Sequence, residues 1–155
     1  MARPIRRGID YFSFDTDFFE DNKIKKLRIR YGGIGITIFI YILTQVYREK
    51  GYFKICDEDF ILELADFFKL EYDKIKEIID YMGNINLLKF TELTKSEFCI
   101  TSERIQRNYQ ESVKTRAKKN KIRVTGLIWL LSPEETQDYI TVENSKNFST
   151  ETVDI

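Results

Sequence analysis

Histidine is absent from the sequence. Because histidine is the commonest general base and the commonest zinc ligand, its absence argues against most hydrolases and most zinc sites. Cysteine is scarce as well: Cys56 and Cys99 are far apart and form no C-x-x-C pair. The sequence predicts that both are reduced, half-buried strand residues. No apolar stretch of the signal-peptide kind follows the charged N-terminus, which favours a cytoplasmic protein.

Known nucleotide-binding motifs are also missing. Neither Gly51 nor Gly126 precedes a lysine, as a P-loop requires, and Ile38 stands where the dinucleotide fingerprint that begins at Gly33 needs its third glycine. One acidic cluster could hold Mg²⁺ as nucleases do, but helix capping explains it without a metal and is favoured. The cluster comprises Asp15, Asp17, Glu20 and Asp21. The sequence therefore predicts a protein that is not an enzyme and needs no cofactor.

Net charge is zero, with 25 basic and 25 acidic residues, but the charges are unevenly distributed. Between Glu103 and Arg123 only Glu103 and Glu111 are acidic, whereas six acids and one base follow from Ser132 onward. The basic residues of the first stretch are Arg104, Arg107, Lys114, Arg116, Lys118, Lys119, Lys121 and Arg123. A neutral total thus conceals a basic segment followed by an acidic tail.

The longest apolar run, residues 33–51, supports two interpretations. Its isoleucines alternate from Ile34 to Ile42, as in a strand, but apolar residues from Ile36 to Tyr47 also fit a helical stripe. Length favours the helix, since strands rarely exceed about ten residues, and Gly51 suits a helix C-cap. The run is shorter than the roughly 20 apolar residues that cross a bilayer. We expect the central core helix of a soluble domain.

The elements around this helix predict a mainly α fold with a small sheet. A first helix, capped by Asp15 or Asp17, is expected before a break at residues 31–33, and a short strand at residues 52–56. Two helices follow, the first capped by Asp57 and the second at residues 71–82, and then a β-hairpin at residues 85–90 and 97–101. Strand, helix pair and hairpin is the order of a winged helix-turn-helix. The hairpin and the first strand together would form a three-stranded sheet that contains both cysteines.

Three segments are expected after the hairpin. A long basic helix begins at Thr101 or Ser102 and completes a winged-helix domain of residues 1–120. Residues 121–140 contain an apolar run and a short helix capped by Ser132 and Pro133, a candidate assembly segment. Residues 141–155 read as a polar acidic tail or linker. The apolar run would pack either on its own core or on a partner chain, and it contains Leu127, Ile128, Trp129, Leu130 and Leu131.

The N-terminal segment resembles a known family. The segment Ala2 to Phe12 (ARPIRRGIDYF), followed by residues 17–21 and 23–24, is similar to the start of the phage replisome-organiser N-terminal domain family. The resemblance continues at residues 32–35, Tyr41, Leu43, residues 46–48 and residues 51–53, and extends to about Arg116. The family is similar to the N-terminal winged helix of DnaD-type primosome proteins. The resemblance implies a non-enzymatic role in replication initiation in a phage or mobile element, oligomerisation, and contact with a helicase or helicase loader.

Nucleic-acid binding is the sharpest functional hypothesis. The second helix of the pair would present Asp73, Lys76, Glu77 and Asp80 to solvent, which argues against groove reading. The basic segment 104–123 is the better candidate for phosphate contacts, with Lys89 and Lys95 of the wing and Arg6 and Arg7 added to it. The alternatives are a winged-helix transcriptional regulator and an interaction or oligomerisation domain that binds no DNA.

Overall fold

The computed structural model describes residues 7–144, in which four α-helices and five strands account for most of the chain. In chain order they are α1 (Asn22–Glu49), β1 (Lys54–Cys56), α2 (Glu58–Phe68), α3 (Tyr72–Asn84), β2 (Lys89–Glu92), β3 (Phe98–Thr101), α4 (Glu103–Ser112), β4 (Ile122–Thr125) and β5 (Ile140–Glu143). Short 3₁₀ turns lie at Phe18–Glu20 and Arg116–Lys118. The predicted mixture of helices with a small sheet is confirmed.

Helix α1 combines the two predicted N-terminal helices and breaks where the sequence predicts. Asp21 caps it by accepting a hydrogen bond from the Lys23 N–H at 2.7 Å. At Gly32 the backbone leaves the helical region, with φ 68° and ψ −155°, a conformation essentially restricted to glycine. The second half supplies much of the core through Ile36, Ile38, Phe39, Ile42, Leu43, Val46 and Tyr47. The helical interpretation of the apolar run is therefore confirmed.

Helices α2 and α3 form the predicted pair with a tight turn. Asp57 caps α2, accepting from the Phe60 N–H at 2.9 Å. Lys69, which stands where such turns usually have glycine, adopts the left-handed conformation with φ 55°, and the Leu70 N–H bonds to the Ala65 carbonyl at 3.0 Å. Helical spacing predicts an inner face of α3 made of Tyr72, Ile75, Ile78, Ile79 and Met82. The last four are buried, whereas Tyr72 is half-buried.

The predicted three-stranded sheet is present, antiparallel and in the order β1, β3, β2. The first strand of the hairpin begins at Lys89 rather than at residue 85. Ile55 pairs with Cys99 and Cys56 pairs with Phe98, so the two thiols point to opposite faces of neighbouring strands. Both cysteines are free and fully buried rather than half-buried. Burial raises the pKa of each thiol to about 12, which leaves both in the unreactive protonated form.

The prediction of a long basic helix is wrong beyond Ser112. Helix α4 ends there, and the chain passes through the 3₁₀ turn into β4, which pairs in parallel with β5. Past Ala117 a helix would be charged all round and would have no apolar stripe to bury. The alternation of Ile122 and Val124 instead supplies the inner positions of a short strand.

The prediction of a short helix from Ser132 to about Ile140 is also wrong. Ser132 begins only one turn, in which its carbonyl accepts from the Thr136 N–H at 2.9 Å. Strand β5 then takes Ile140–Glu143, so part of the predicted tail is ordered structure. Residues 145–155 of that tail lie outside the described residues.

The apolar run after β4 packs on the core of its own chain. Ile128 is fully buried, and Trp129 and Leu131 are nearly so. The Trp129 ring meets the Tyr52 ring edge to face at 5.7 Å, and its Nε1 donates to Thr136 Oγ1 at 2.9 Å. Of the two alternatives for this run, these three side chains follow the first. They therefore provide no exposed patch for assembly, and of the five predicted residues only Leu127 is exposed, with Leu130 half-buried.

Candidate nucleic-acid interface

The predicted basic residues separate into two groups, of which the first is paired with carboxylates. Arg104 lies 3.3 Å from Asp21, and Arg123 lies 3.2 Å from Glu143. Arg107 contacts Glu135 at 2.9 Å and Glu103 at 3.6 Å. Lys89 contacts Glu103 at 3.0 Å, and this hydrogen bond lowers the pKa of the Glu103 carboxyl.

These exposed ion pairs contribute little to stability, roughly 0–1 kcal/mol each. The pairs matter more for the surface potential, because each places a negative charge beside a predicted phosphate contact. Two of the carboxylates, Glu135 and Glu143, come from the acidic region that follows the basic segment. A phosphate at Arg104, Arg107, Arg123 or Lys89 would have to displace a carboxylate.

The second group lies on the turn between α4 and β4. We call it the lysine turn, and it comprises Lys114, Lys118, Lys119 and Lys121. All four side chains are exposed, and none forms an ion pair with a carboxylate of residues 7–144. Four ammonium groups within eight residues, unpaired among the described residues, give this turn a concentration of positive charge.

Arg116, at the centre of this turn, has a different role. It is half-buried, and its Nη2 donates to the Gly8 carbonyl at 3.0 Å. This bond ties the segment before α1 to the turn after α4. Arg116 is thus predominantly a positioning residue, although the sequence placed it among the phosphate contacts.

The remaining predicted contacts lie on other parts of the surface. Lys95 is exposed in the loop of the β2–β3 hairpin, and Arg7 is exposed at the start of the described chain. Arg6 lies outside the described residues. On α3, Glu77 accepts from the Tyr31 hydroxyl at 2.7 Å and pairs with Lys74 at 3.1 Å. The outward face of α3 thus carries three exposed acids and two exposed lysines.

A cavity of about 420 Å³ lies between the segment before α1, α1 itself and α4. Its apolar wall is largely aromatic and includes Phe12, Phe14, Phe18, Phe39 and Tyr47. Four cations and three carboxylates line it: Lys23, Lys89, Arg104, Arg107, Asp15, Asp21 and Glu103. The sequence analysis missed this cavity. The only signal for it is the density of aromatic residues in positions 11–19.

The wall formed by residues 8–14 is fixed to the core. The Ile9 N–H donates to the Tyr47 carbonyl at 2.8 Å, and the rings of Phe12 and Tyr47 stack at 4.6 Å. Burial raises the pKa of Tyr47 to about 12, with a lesser opposing effect from Asn108, whose Nδ2 lies 3.4 Å from the hydroxyl. The cavity is therefore bounded by positioned side chains.

The acidic cluster considered for Mg²⁺ does not assemble into a ligand set. Across residues 7–144 no three histidine, cysteine, aspartate or glutamate side chains come together as a metal site. Asp21 caps α1 and pairs with Arg104, and Asp15 lines the aromatic cavity. Asp21 is therefore the cap of α1. The predicted caps Asp15 and Asp17 do not cap it, because they precede the 3₁₀ turn.

Helix α1 is long and apolar enough to cross a membrane by length and composition alone. Core helices of soluble proteins satisfy the same criterion. The break at Gly32 divides α1, its first half is rich in lysine and arginine, and its second half packs into the core. The described part of the chain gives no positive sign of a membrane protein.

Comparison with known proteins gives the family. Residues 11–105, which include the segment before α1, the helix pair and the three-stranded sheet, match the family described as Lin1244/Lin1753-like, N-terminal. The chain belongs to the Lin1244/Lin1753-like N-terminal family. The matched residues end within α4, so the lysine turn and the β4–β5 pair lie outside them.

A relative from Listeria innocua serovar 6a carries the description "uncharacterized phage-related protein Lin1244/Lin1753". It is 29% identical over 119 residues, which cover 76% of this chain and 38% of the relative. The chain thus spans well under half the length of that protein. No solved structure matches the chain. The phage association expected from the sequence resemblance is confirmed at the level of the family.

Proposed function

We propose that the chain is a non-enzymatic nucleic-acid-binding module that acts in the replication initiation of a phage or mobile element. The observation that carries the proposal is the lysine turn, with four exposed ammonium groups and no carboxylate partner among the described residues. Membership of a phage-related family supports the setting. Binding through phosphates gives affinity for many sequences and little discrimination among them.

The fold supports the proposal through its element order. Strand β1, the helix pair α2–α3 and the β2–β3 hairpin follow one another as in a winged helix-turn-helix, and β1 joins the hairpin through β3. We propose that the domain belongs to that class. Resemblance to replisome organisers then suggests a helicase or helicase loader as a partner. Because the buried run 127–131 contributes little exposed surface, homo-oligomerisation would use another surface.

Phosphate contact by the lysine turn predicts how steeply the association constant falls with salt concentration. If four charges neutralise four phosphates, the logarithm of the association constant falls with the logarithm of salt concentration with a slope of about −3.6 on duplex DNA. Affinity would drop on the order of 100-fold between roughly 50 and 200 mM salt. The steep dependence distinguishes phosphate binding from binding dominated by base contacts.

The test is a fluorescence-anisotropy titration of labelled DNA at two salt concentrations. The variant Lys114→Ala/Lys118→Ala/Lys119→Ala/Lys121→Ala should lose most of its affinity, with a salt slope near zero. A matched control removes four exposed cations elsewhere: Lys26→Ala/Arg28→Ala/Arg48→Ala/Lys76→Ala. The control should bind as the parent does. Equal binding by the lysine-turn variant and the parent would contradict the proposal.

The alternative functions give different results in the same titration. A transcriptional regulator would bind one duplex far more tightly than duplexes of random sequence. An interaction domain would bind no nucleic acid even at low salt. The exposed face of α3 carries three acids, Asp73, Glu77 and Asp80, against Lys74 and Lys76, so it offers no excess of positive charge for reading a groove.

A further inference from the structure

Two aromatic side chains beside the cavity are exposed to solvent. Tyr11 is 85% exposed and Phe14 is 49% exposed, although the neighbouring Phe12 and Phe18 pack inward. Leaving such rings in water forgoes the stabilisation that burial provides. Exposed rings around a preformed aromatic cavity are the arrangement that proteins use to stack flat ligands.

The cavity continues into a second depression of about 500 Å³ that leads toward the lysine turn. Ser13 and Asn108 line both spaces. The second is also lined by Tyr11, Thr115 and Arg116 and by two acidic residues, Asp10 and Glu111. We call the two together the aromatic trough. Along α4, Arg104 and Ser112 are about 12 Å apart at 1.5 Å per residue. A trough of this length accommodates more than one nucleotide, and Lys114 and Lys118 flank its end in sequence.

We infer that the aromatic trough binds unpaired bases of a single-stranded nucleic acid whose phosphates contact the lysine turn. The inference deepens the proposed function and rests on it. Every base has a π face, so stacking on Tyr11 and Phe14 provides affinity without selecting a sequence. In a duplex these faces are covered by neighbouring base pairs, so the trough serves single strands only.

The aromatic trough and the lysine turn differ in charge. Four cations and three carboxylates line the cavity, and the second depression adds Arg116, Asp10 and Glu111. Arg104, Arg107 and Lys89 are each ion-paired. A nearly balanced rim suits a neutral base better than a phosphate, whereas the lysine turn suits phosphates. A peptide of a partner protein could also use the apolar wall, but it would leave the uncompensated lysines without a role.

The test compares a labelled thymidine oligonucleotide with a duplex of the same length. The variant Tyr11→Ala/Phe14→Ala should lose about tenfold or more in single-strand affinity, since each stacked base contributes roughly 1–3 kcal/mol, and should keep its duplex affinity. Its salt slope should not change, because no charge is removed. Phe67→Ala is the matched control, as Phe67 is 61% exposed on α2 and outside the trough.

The outcomes separate this inference from the proposed function. If Tyr11→Ala/Phe14→Ala binds the single strand as the parent does while the lysine-turn variant loses affinity, only the trough is refuted, and a peptide becomes its better occupant. If the lysine-turn variant loses nothing on either DNA, the proposed function fails first. Equal losses on single strand and duplex also overturn the inference. Tyr11→Ala alone removes a ring that is 85% exposed, so misfolding cannot explain its effect.

Discussion

The buried side chain of Gln106 accepts a hydrogen bond from the main-chain N–H of Leu130, with 2.6 Å between Oε1 and the nitrogen. Its Nε2 donates to the Ile128 carbonyl and to Thr101 Oγ1, both at 3.1 Å. One fully buried amide therefore joins β3, α4 and the run 127–131. It satisfies polar main-chain groups of a segment that otherwise enters the core through apolar contacts.

Replacing Gln106 with leucine should destabilise the protein by about 2–4 kcal/mol, because an acceptor and a donor of the main chain lose their partner away from water. Urea unfolding of Gln106→Leu measures the change. Gln137→Leu is the control, since Gln137 is exposed and its substitution should change stability by less than about 0.5 kcal/mol. Equal stability of the Gln106 variant and the parent would show that the three hydrogen bonds contribute little.

Replacing Trp129 with alanine should act on stability rather than on assembly. The indole is 8% exposed and packs on Tyr52, so its removal leaves a cavity that costs about 3–5 kcal/mol. Leu127→Ala, at a side chain that is 43% exposed, should cost less than about 1 kcal/mol. Thermal unfolding measures the loss, and light scattering should give the parent's mass for any folded Trp129→Ala. A changed mass at unchanged stability would restore the tryptophan to an interface.

Neighbouring glycines of α1 should respond in opposite directions to alanine. Gly32 has φ 68° and ψ −155°, so Gly32→Ala should cost about 1–3 kcal/mol through backbone strain alone, since no atom lies near the added Cβ. Gly33 lies in the helix with the same open space, so Gly33→Ala should stabilise by about 0.5–1 kcal/mol. Chemical denaturation of the two variants checks the pair. Stabilisation by both would indicate that α1 continues through Gly32 in solution.

The protein should lose stability at alkaline pH. Burial raises the pKa of Tyr47, Tyr109, Cys56 and Cys99 to about 12 and also raises that of Tyr52. The folded state therefore holds protons that the unfolded chain releases above pH 9–10, where the ordinary pKa values of 9.0 and 10.0 lie. Stability contributed by these groups is complete below pH 9 and is lost as the pH rises toward 12.

Urea unfolding at several pH values between 8 and 11 tests this expectation, with a loss of up to about 1.4 kcal/mol per pH unit for each group. Tyr109→Phe is an informative variant, because it removes one titrating group from the core and conserves the ring. Its stability should fall less steeply with pH than that of the parent. A flat profile to pH 11 in the parent would mean that these groups are more accessible to water than the structure has them.

Local periodicity was sufficient to predict the first two-thirds of the fold. The stripe from Ile36 to Tyr47, the cap at Asp57 and the inner face of α3 each depend on residues a few positions apart. The region after Ser112 was not predictable in the same way. Strand β4 has four residues and is stabilised by pairing with β5, which follows a loop from Gly126 to Tyr139. A charged segment with helix-forming residues gives no local signal for that pairing.

The candidate site was likewise predictable only in the part that depends on local sequence. The charge of the lysine turn is a property of composition and could be predicted from the sequence. Which cations keep that charge uncompensated depends on contacts between distant residues, such as Arg104 with Asp21 and Arg123 with Glu143. The aromatic trough likewise requires the segment 8–14 to lie against α4, a contact secured by Arg116 and Gly8. Neither could be predicted without the tertiary structure.

The placement of the two cysteines has a practical consequence for site-directed labelling. Both are fully buried and face opposite sides of the sheet, so neither should react with a maleimide nor bridge to the other while the protein is folded. A cysteine introduced at exposed Ser13 would then be the single attachment point for a fluorophore, without removal of the native pair. Because Ser13 lines both spaces of the trough, a dye attached there should report the arrival of a ligand.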